Sequence, residues 1–272
     1  MILDHELLTL PSASTLAVLR QGLAGRAPAP RTLAVLADPV FSATDERVRG
    51  AGRPAMAAAA PLTESTRAWQ AVASKAGQAL IPRLPASRAE AEAILALVPA
   101  ASRKVALDFA ANQTLAQSAE LGQYRYVHFA THSLLHPTQP QLSGLVLSLV
   151  DEAGKPQPGF LNTQAIFQLK LPAELVVLSA CQTALGKELP GEGLIGLTRG
   201  FMYAGAKRVI ASLWRVNDDA TAELMKTFYQ ELLKASSPTP AAALRTAQLK
   251  VSRLPRWRAP YYWAGFVLQG EW

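Results

Sequence analysis

Leu175-Val176-Val177-Leu178-Ser179-Ala180-Cys181-Gln182-Thr183 is the stretch on which the reading of the fold turns. Four aliphatic residues run without interruption and stop at a small polar cluster. Such a run reads as a buried strand that emerges at the edge of a sheet. Cys181 is the single cysteine of the chain, and this position predicts a rigidly held, partly exposed thiol. Upstream, Tyr126-Val127-His128-Phe129-Ala130-Thr131-His132 ends in the same manner with a histidine. If the two runs are neighbouring parallel strands, His132 and Cys181 meet at one edge, the arrangement that a cysteine nucleophile and its base need.

Working outward, the second half of the chain alternates strands and helices. Strands are expected over 124–130, 143–149, 174–180, 207–213 and 263–268, and helices over 163–168, 193–204, 218–234 and 240–251. The strands are near-continuously apolar, which predicts an α/β fold whose mostly parallel sheet is covered on both faces. Asp218-Asp219 opens its helix with negative charge, where the helix dipole favours it. The first half is less regular. It offers a helical run over 15–20, a strand over 31–36 ending at Asp38-Pro39, and a loop rich in Ala, Gly, Pro and Arg over 42–62. A helix follows over 66–80, then an edge strand over 80–84 that tolerates Pro82. Ser87 with Glu90 three residues on forms a capping-box pattern for a helix reaching Val98. A strand over 104–109 and a helix over 114–121 complete this half.

Composition narrows the function classes. The 272 residues are half hydrophobic and only 17% charged, enough for a substantial core and against global disorder. The 27 Lys and Arg exceed the 20 Asp and Glu by seven. These basic residues are scattered, without a run or an interleaved aromatic stripe, so nucleic acid is not expected as a partner. One cysteine excludes an intramolecular disulfide. No apolar run reaches the roughly 18 residues of a membrane span, and the N-terminus lacks the basic start of a signal peptide. The expectation is a cytoplasmic protein with a free thiol and no membrane partner.

Read for chemistry, the thiolate of Cys181 would attack a carbonyl. The imidazole of His132 would take the thiol proton and return it to a leaving amine, and backbone N–H groups at the strand end would hold the oxyanion. Against this stands the ordinary role of a lone cysteine as a small buried hydrophobe. Two other patterns compete. His128, His132 and His136 lie four apart, but on a strand they spread over roughly 26 Å, too far for one metal ion. His128 is better read as a packed core histidine and His136 as a loop residue near the mouth of the site. Gly191-Glu192-Gly193-Leu194-Ile195-Gly196 matches a dinucleotide fingerprint in form. Its first glycine, however, falls about ten residues after the strand instead of directly after it.

Taken together, the motifs resemble a CHAT domain, a prokaryotic branch of the caspase-like cysteine peptidases that includes separases and metacaspases. Val127 to His132 resembles the family's histidine strand, and Leu142 to Ser148 the strand after it. Val177 to Ala184 resembles the cysteine strand, and Gly191 to Ala206 the helix that follows. Ala211-Ser212-Leu213-Trp214-Arg215-Val216-Asn217-Asp218 resembles the strand and loop lining the substrate cleft, and Tyr262 to Gly270 the closing strand. From His132 to Cys181 is 49 residues, close to the spacing of about 50 in caspases.

The resemblance implies a caspase-like three-layer α/β sandwich with a mostly parallel central sheet flanked by helices. Residues 1–115 would be a divergent N-terminal, regulatory flank and 116–272 the catalytic part. It further implies a regulated cysteine endopeptidase that needs no cofactor or metal. His132 would be the general acid/base, Cys181 the nucleophile, and the N–H groups of Cys181 and Ser133 the oxyanion donors. Many relatives carry glycine at the position of Ser133, so a positive φ there would strain the serine. A backbone carbonyl is expected to orient the imidazole in place of a third catalytic carboxylate. Asp218, with Trp214 and Glu192, is expected to contact substrate, favouring a basic P1 residue. CHAT domains often follow tetratricopeptide-repeat (TPR) arrays, so a regulatory partner or fused module of that kind is expected and the chain reads as an excised or stand-alone domain. The alternative is a catalytically idle scaffold or binding module of the same fold.

Overall fold

The computed structural model describes residues 2–10, 12–23, 25–49, 81–135, 139–179, 182–184, 192–214, 216–234, 236 and 238–271. The strands are β1 (Leu8–Thr9), β2 (Arg31–Ala37), β3 (Arg103–Leu107), β4 (Tyr124–Ala130), β5 (His132–Leu135), β6 (Gly144–Val146), β7 (Phe160–Asn162), β8 (Leu175–Leu178), β9 (Gln182–Ala184), β10 (Arg208–Ser212) and β11 (Phe266–Gly270). The helices are α1 (Ala13–Leu23), α2 (Pro85–Leu95), α3 (Gln113–Ala116), α4 (Thr163–Phe167), α5 (Glu192–Tyr203), α6 (Asp218–Leu232) and α7 (Pro240–Ser252).

Among the described residues, seven strands form the central sheet in the order β1-β11-β10-β8-β4-β2-β3. Every pair is parallel except β10 with β11. Successive residues of the central strands serve opposite cores, as strand geometry requires. Val127, Phe129, Val176 and Leu178 face Ile166 of α4 and Leu197 and Phe201 of α5. Tyr126, Ala130, Leu175 and Val177 face Ile94 of α2, Phe228 of α6 and Leu244 of α7. The result is the expected α/β sandwich, a mostly parallel sheet between two helical layers.

Beyond the C-terminal ends of β4 and β8 the two central strands resume in a second, four-stranded sheet, ordered β7-β6-β5-β9. A single residue, Thr131, separates β4 from β5, and its hydroxyl donates to the carbonyl of Val146 on β6. Close packing in this sheet leaves no room for a side chain at Gly144, where a Cβ would lie 2.5 Å from the Leu161 carbonyl oxygen.

Three expectations for the first half are corrected. The helix expected from Ser87 begins at Pro85, with proline pre-set for the first turn, and the Ser87–Glu90 capping box does not form. Ser87 Oγ instead donates to the Leu84 carbonyl at 2.7 Å, and Glu90 is drawn into the core by His128. Residues 81–84 are not a strand. The helix expected over 114–121 is α3 alone, followed by a 3-10 turn over Ala119–Gln123. There Ser118 Oγ bonds the Leu115 carbonyl at 2.8 Å, competing with helical bonding. The helix expected over 66–80 and most of the 42–62 loop lie outside the described residues.

Candidate active site

The break between the two sheets is where the sequence motifs converge. In the main sheet β4 pairs with β8 so that Tyr126 faces Leu175 and Phe129 faces Leu178. The Ser179 N–H donates to the Phe129 carbonyl at 2.9 Å, carrying this pairing beyond the strand. In the second sheet β5 pairs with β9, also in parallel, and Ser133 faces Gln182. Both pairings carry the same sequence offset of 49 residues. Ala180, Cys181, His136 and Gly191 lie outside the described residues.

His132 is the first residue of β5 and is only 3% exposed. Its Nε2 lies 2.8 Å from the carbonyl oxygen of Pro82. A carbonyl only accepts, so Nε2 carries the proton, and in the neutral ring Nδ1 holds the lone pair. The ring of Phe41 packs against the imidazole with centroids 5.3 Å apart. Phe41 and Pro82 also line a cavity of about 490 Å³ together with Ser42, Asp45, Ile81 and Arg83. The wall that fixes the histidine is thus the wall of a cleft.

Ser133 is buried in β5, between Leu145 of β6 and Gln182 of β9. Among the described non-glycine residues only Asp38 and Asp108 have positive φ, so serine bears no backbone strain at position 133. Asp218 is exposed at the start of α6. The cap of that helix is Asn217, whose side-chain oxygen accepts from the Ala220 N–H at 3.0 Å, so Asp218 is not the cap. Asp218 and Ser179 line one small cavity of about 20 Å³ together with Ser87, Glu90 and Thr221. That is room for one water molecule, not for a side chain. Trp214 is half-buried, donates its indole N–H to the Tyr261 carbonyl at 3.0 Å, and lies over Gly265. Glu192 is the first residue of α5.

His128 is wholly buried in β4, with Nε2 2.8 Å from Glu90 Oε1 and Nδ1 3.2 Å from the Tyr229 hydroxyl. With Tyr126 and Ala130 it lies on the sheet face that packs against α2 and α6. Burial pushes the Tyr229 hydroxyl well above its ordinary pKa, and the Glu90 charge adds to this. Among the described residues no group of three His, Cys, Asp or Glu side chains could hold a metal ion. No helix among them is long and apolar enough to cross a membrane.

The sequence reading missed Phe41, Pro82 and the charged residues around Asp38. Only Asp38 carried a signal. It directly follows a buried apolar run, at the strand end where open parallel sheets place their sites.

The family model of the CHAT domain matches residues 1–271. Tetratricopeptide repeat protein 28 of Homo sapiens is 37% identical over 111 residues, which are 41% of this chain and 4% of that protein. Its Mus musculus counterpart is 36% identical over 111 residues, again 4% of its length. Among solved structures, a chain of the Saccharomyces cerevisiae separase–securin complex aligns with 98% of this chain and 14% of its own length, at a TM-score of 0.49 and 13% identity.

Proposed function

The chain belongs to the CHAT domain family, and from that premise we propose that it is a regulated, caspase-like cysteine endopeptidase with Cys181 as nucleophile and His132 as general acid/base. The observation that carries this reading is the constant offset of 49 residues on both sides of the sheet break. His132 and Cys181 are themselves 49 residues apart. Register partners in parallel strands project to the same face, so continuity of the pairing favours an imidazole and a thiol side by side.

The proposed chemistry follows from the ring's tautomer. The Pro82 carbonyl holds the proton on Nε2, which makes Nδ1 the base. It would take the Sγ proton, and the thiolate would add to the substrate carbonyl carbon. The N–H groups of Cys181 and Ser133 would receive the oxyanion. The imidazolium would then give its proton to the departing amine, and water would hydrolyse the thioester by the reverse path. The 3% exposure of His132 supports regulation, because substrate must gain access past the Phe41 and Pro82 walls. No cofactor enters this scheme.

Asp218, with Trp214 and Glu192 nearby in sequence to the strand ends, is proposed to contact a basic P1 side chain. The small cavity beside Asp218 implies that such a side chain lies over the rim. The names of the two mammalian relatives, tetratricopeptide repeat proteins, support a TPR-type module as regulatory partner. The free thiol fits a reducing, cytoplasmic setting.

The test is covalent labelling by peptide-like thiol probes that differ only at P1. Wild type is expected to label, fastest with Arg or Lys at P1, while Cys181→Ala and His132→Ala do not. Labelling that persists in His132→Ala, or none in the wild type with a TPR partner present, would favour the idle scaffold. Faster labelling with Asp or Leu at P1 would remove the role of Asp218.

A further inference from the structure

Pro82 has no N–H and cannot anchor itself to the sheet, yet its carbonyl is what fixes the tautomer of His132. Its neighbours are tied to Asp38, and Arg83 Nη1 also reaches the exposed Glu46 Oε1 at 2.8 Å. The Arg83 guanidinium grips the Asp38 carboxylate in a fork, Nε to Oδ1 at 3.0 Å and Nη2 to Oδ2 at 2.8 Å. On the other side of Asp38, its N–H donates to Ser87 Oγ at 3.2 Å, and Ser87 Oγ donates to the Leu84 carbonyl at 2.7 Å. The residues flanking Pro82 in the chain direction are therefore tied to Asp38 by both its side chain and its backbone.

Asp38 is wholly buried and adopts a φ of +46° directly after β2. A non-glycine residue reaches that conformation at a cost, and it persists where surrounding bonds over-determine it. Here Arg47 bonds the Asp38 carbonyl at 2.8 Å and its carboxylate at 3.1 Å, and Arg88 reaches Oδ2 at 2.8 Å. A carboxylate gripped by three arginines is far more than strand termination requires. A bidentate guanidinium fork sets position as well as charge.

We propose that Asp38 and Arg83 are positioning residues for His132, fixing the Pro82–Leu84 segment so that the Pro82 carbonyl holds the imidazole in its Nε2–H form. The catalytic use of that ring rests on the peptidase reading above; its positioning does not. The pair acts through the backbone and touches no substrate.

The test is imidazole ¹H–¹⁵N correlation NMR on the full chain, which has four histidines. His132→Gln assigns the His132 signals. Wild type is expected to show the Nε2–H tautomer at His132. Arg83→Met is expected to give tautomer-averaged His132 signals with ring N–H exchange about two- to tenfold faster, as loss of one net hydrogen bond would allow. The His128 signals, held by Glu90 and Tyr229, should not move, whereas a general loss of stability would move both. Arg83→Lys keeps the charge but not the fork and should show a smaller change, and it is read in place of Arg83→Met if that variant does not fold. An Nδ1–H tautomer at wild-type His132, or unchanged His132 signals in the Arg83 variants, would overturn the proposal. Absence of peptide cleavage in every form would count against the peptidase reading and leave this result standing.

Discussion

Single carboxylates decide much of the behaviour expected near the site. Asp38 and Asp108 follow adjacent parallel strands, both at positive φ, and Arg47 and Arg88 bridge them. Hydrogen bonding from Arg47 holds Asp45 below the ordinary carboxylate range, against the opposing effect of burial. At Asp108 burial raises the pKa, but the hydrogen bonds from Arg88 and Arg47 outweigh it and the net direction is down. A carboxylate depressed in the folded state stabilises fully above its unfolded value of about 3.9. That contribution is lost as pH falls through the lower folded value. Arg47→Met removes the partner of Asp45 and one of the two arginines on Asp108. The variant should be less stable than wild type at pH 6, and should lose less of its stability between pH 6 and pH 3. Urea unfolding at the two pH values checks this, and equal losses in both proteins would contradict it. His128 shows a polar group built into the core. Its position in an apolar strand marked it as a core residue, while nothing local marked Glu90, 38 residues upstream, as its partner.

At the scale of elements, the strands were the most legible feature because their apolar runs are long and serve two cores at once. The run 124–130 is β4 to the residue, and α4 to α7 fall within two residues of their expected ends. The misreadings fall where a side chain had a better partner than the local pattern offered. Ser87 and Glu90 had the spacing of a capping box, but the Leu84 carbonyl claims Ser87 locally, and Asp38 and His128 claim Ser87 and Glu90 from across the chain. Residues 81–84 read as an edge strand, and the described structure uses the Pro82 carbonyl for a side chain instead. Asn217 caps α6 as a short polar side chain before an amphipathic run should. Asn217→Ala should destabilise the protein by about 1 kcal/mol and leave the fold intact. A denaturant midpoint that does not move, with an unchanged slope, would contradict the assigned cap.

For the molecule as a whole, the two halves of the sequence form one sheet. The first half supplies β2 and β3 at one edge and β1 at the other, where the sequence suggested one flank. The division at 115 therefore separates proposed roles, not layers. The meeting of the histidine and cysteine strands was legible because two apolar runs end in reactive residues at similar depth. The wall built from Phe41 and Pro82 was not, because contacts 50 or more residues apart leave no periodic trace. In the proposed mechanism His132 and Cys181 form one acid–base pair. With one cysteine in the chain, the pH dependence of alkylation by iodoacetamide reports on that thiol alone. The wild-type midpoint is expected well below the free-thiol value of about 8.5, moving up to about 8.5 in His132→Gln. The same midpoint in both proteins would contradict it.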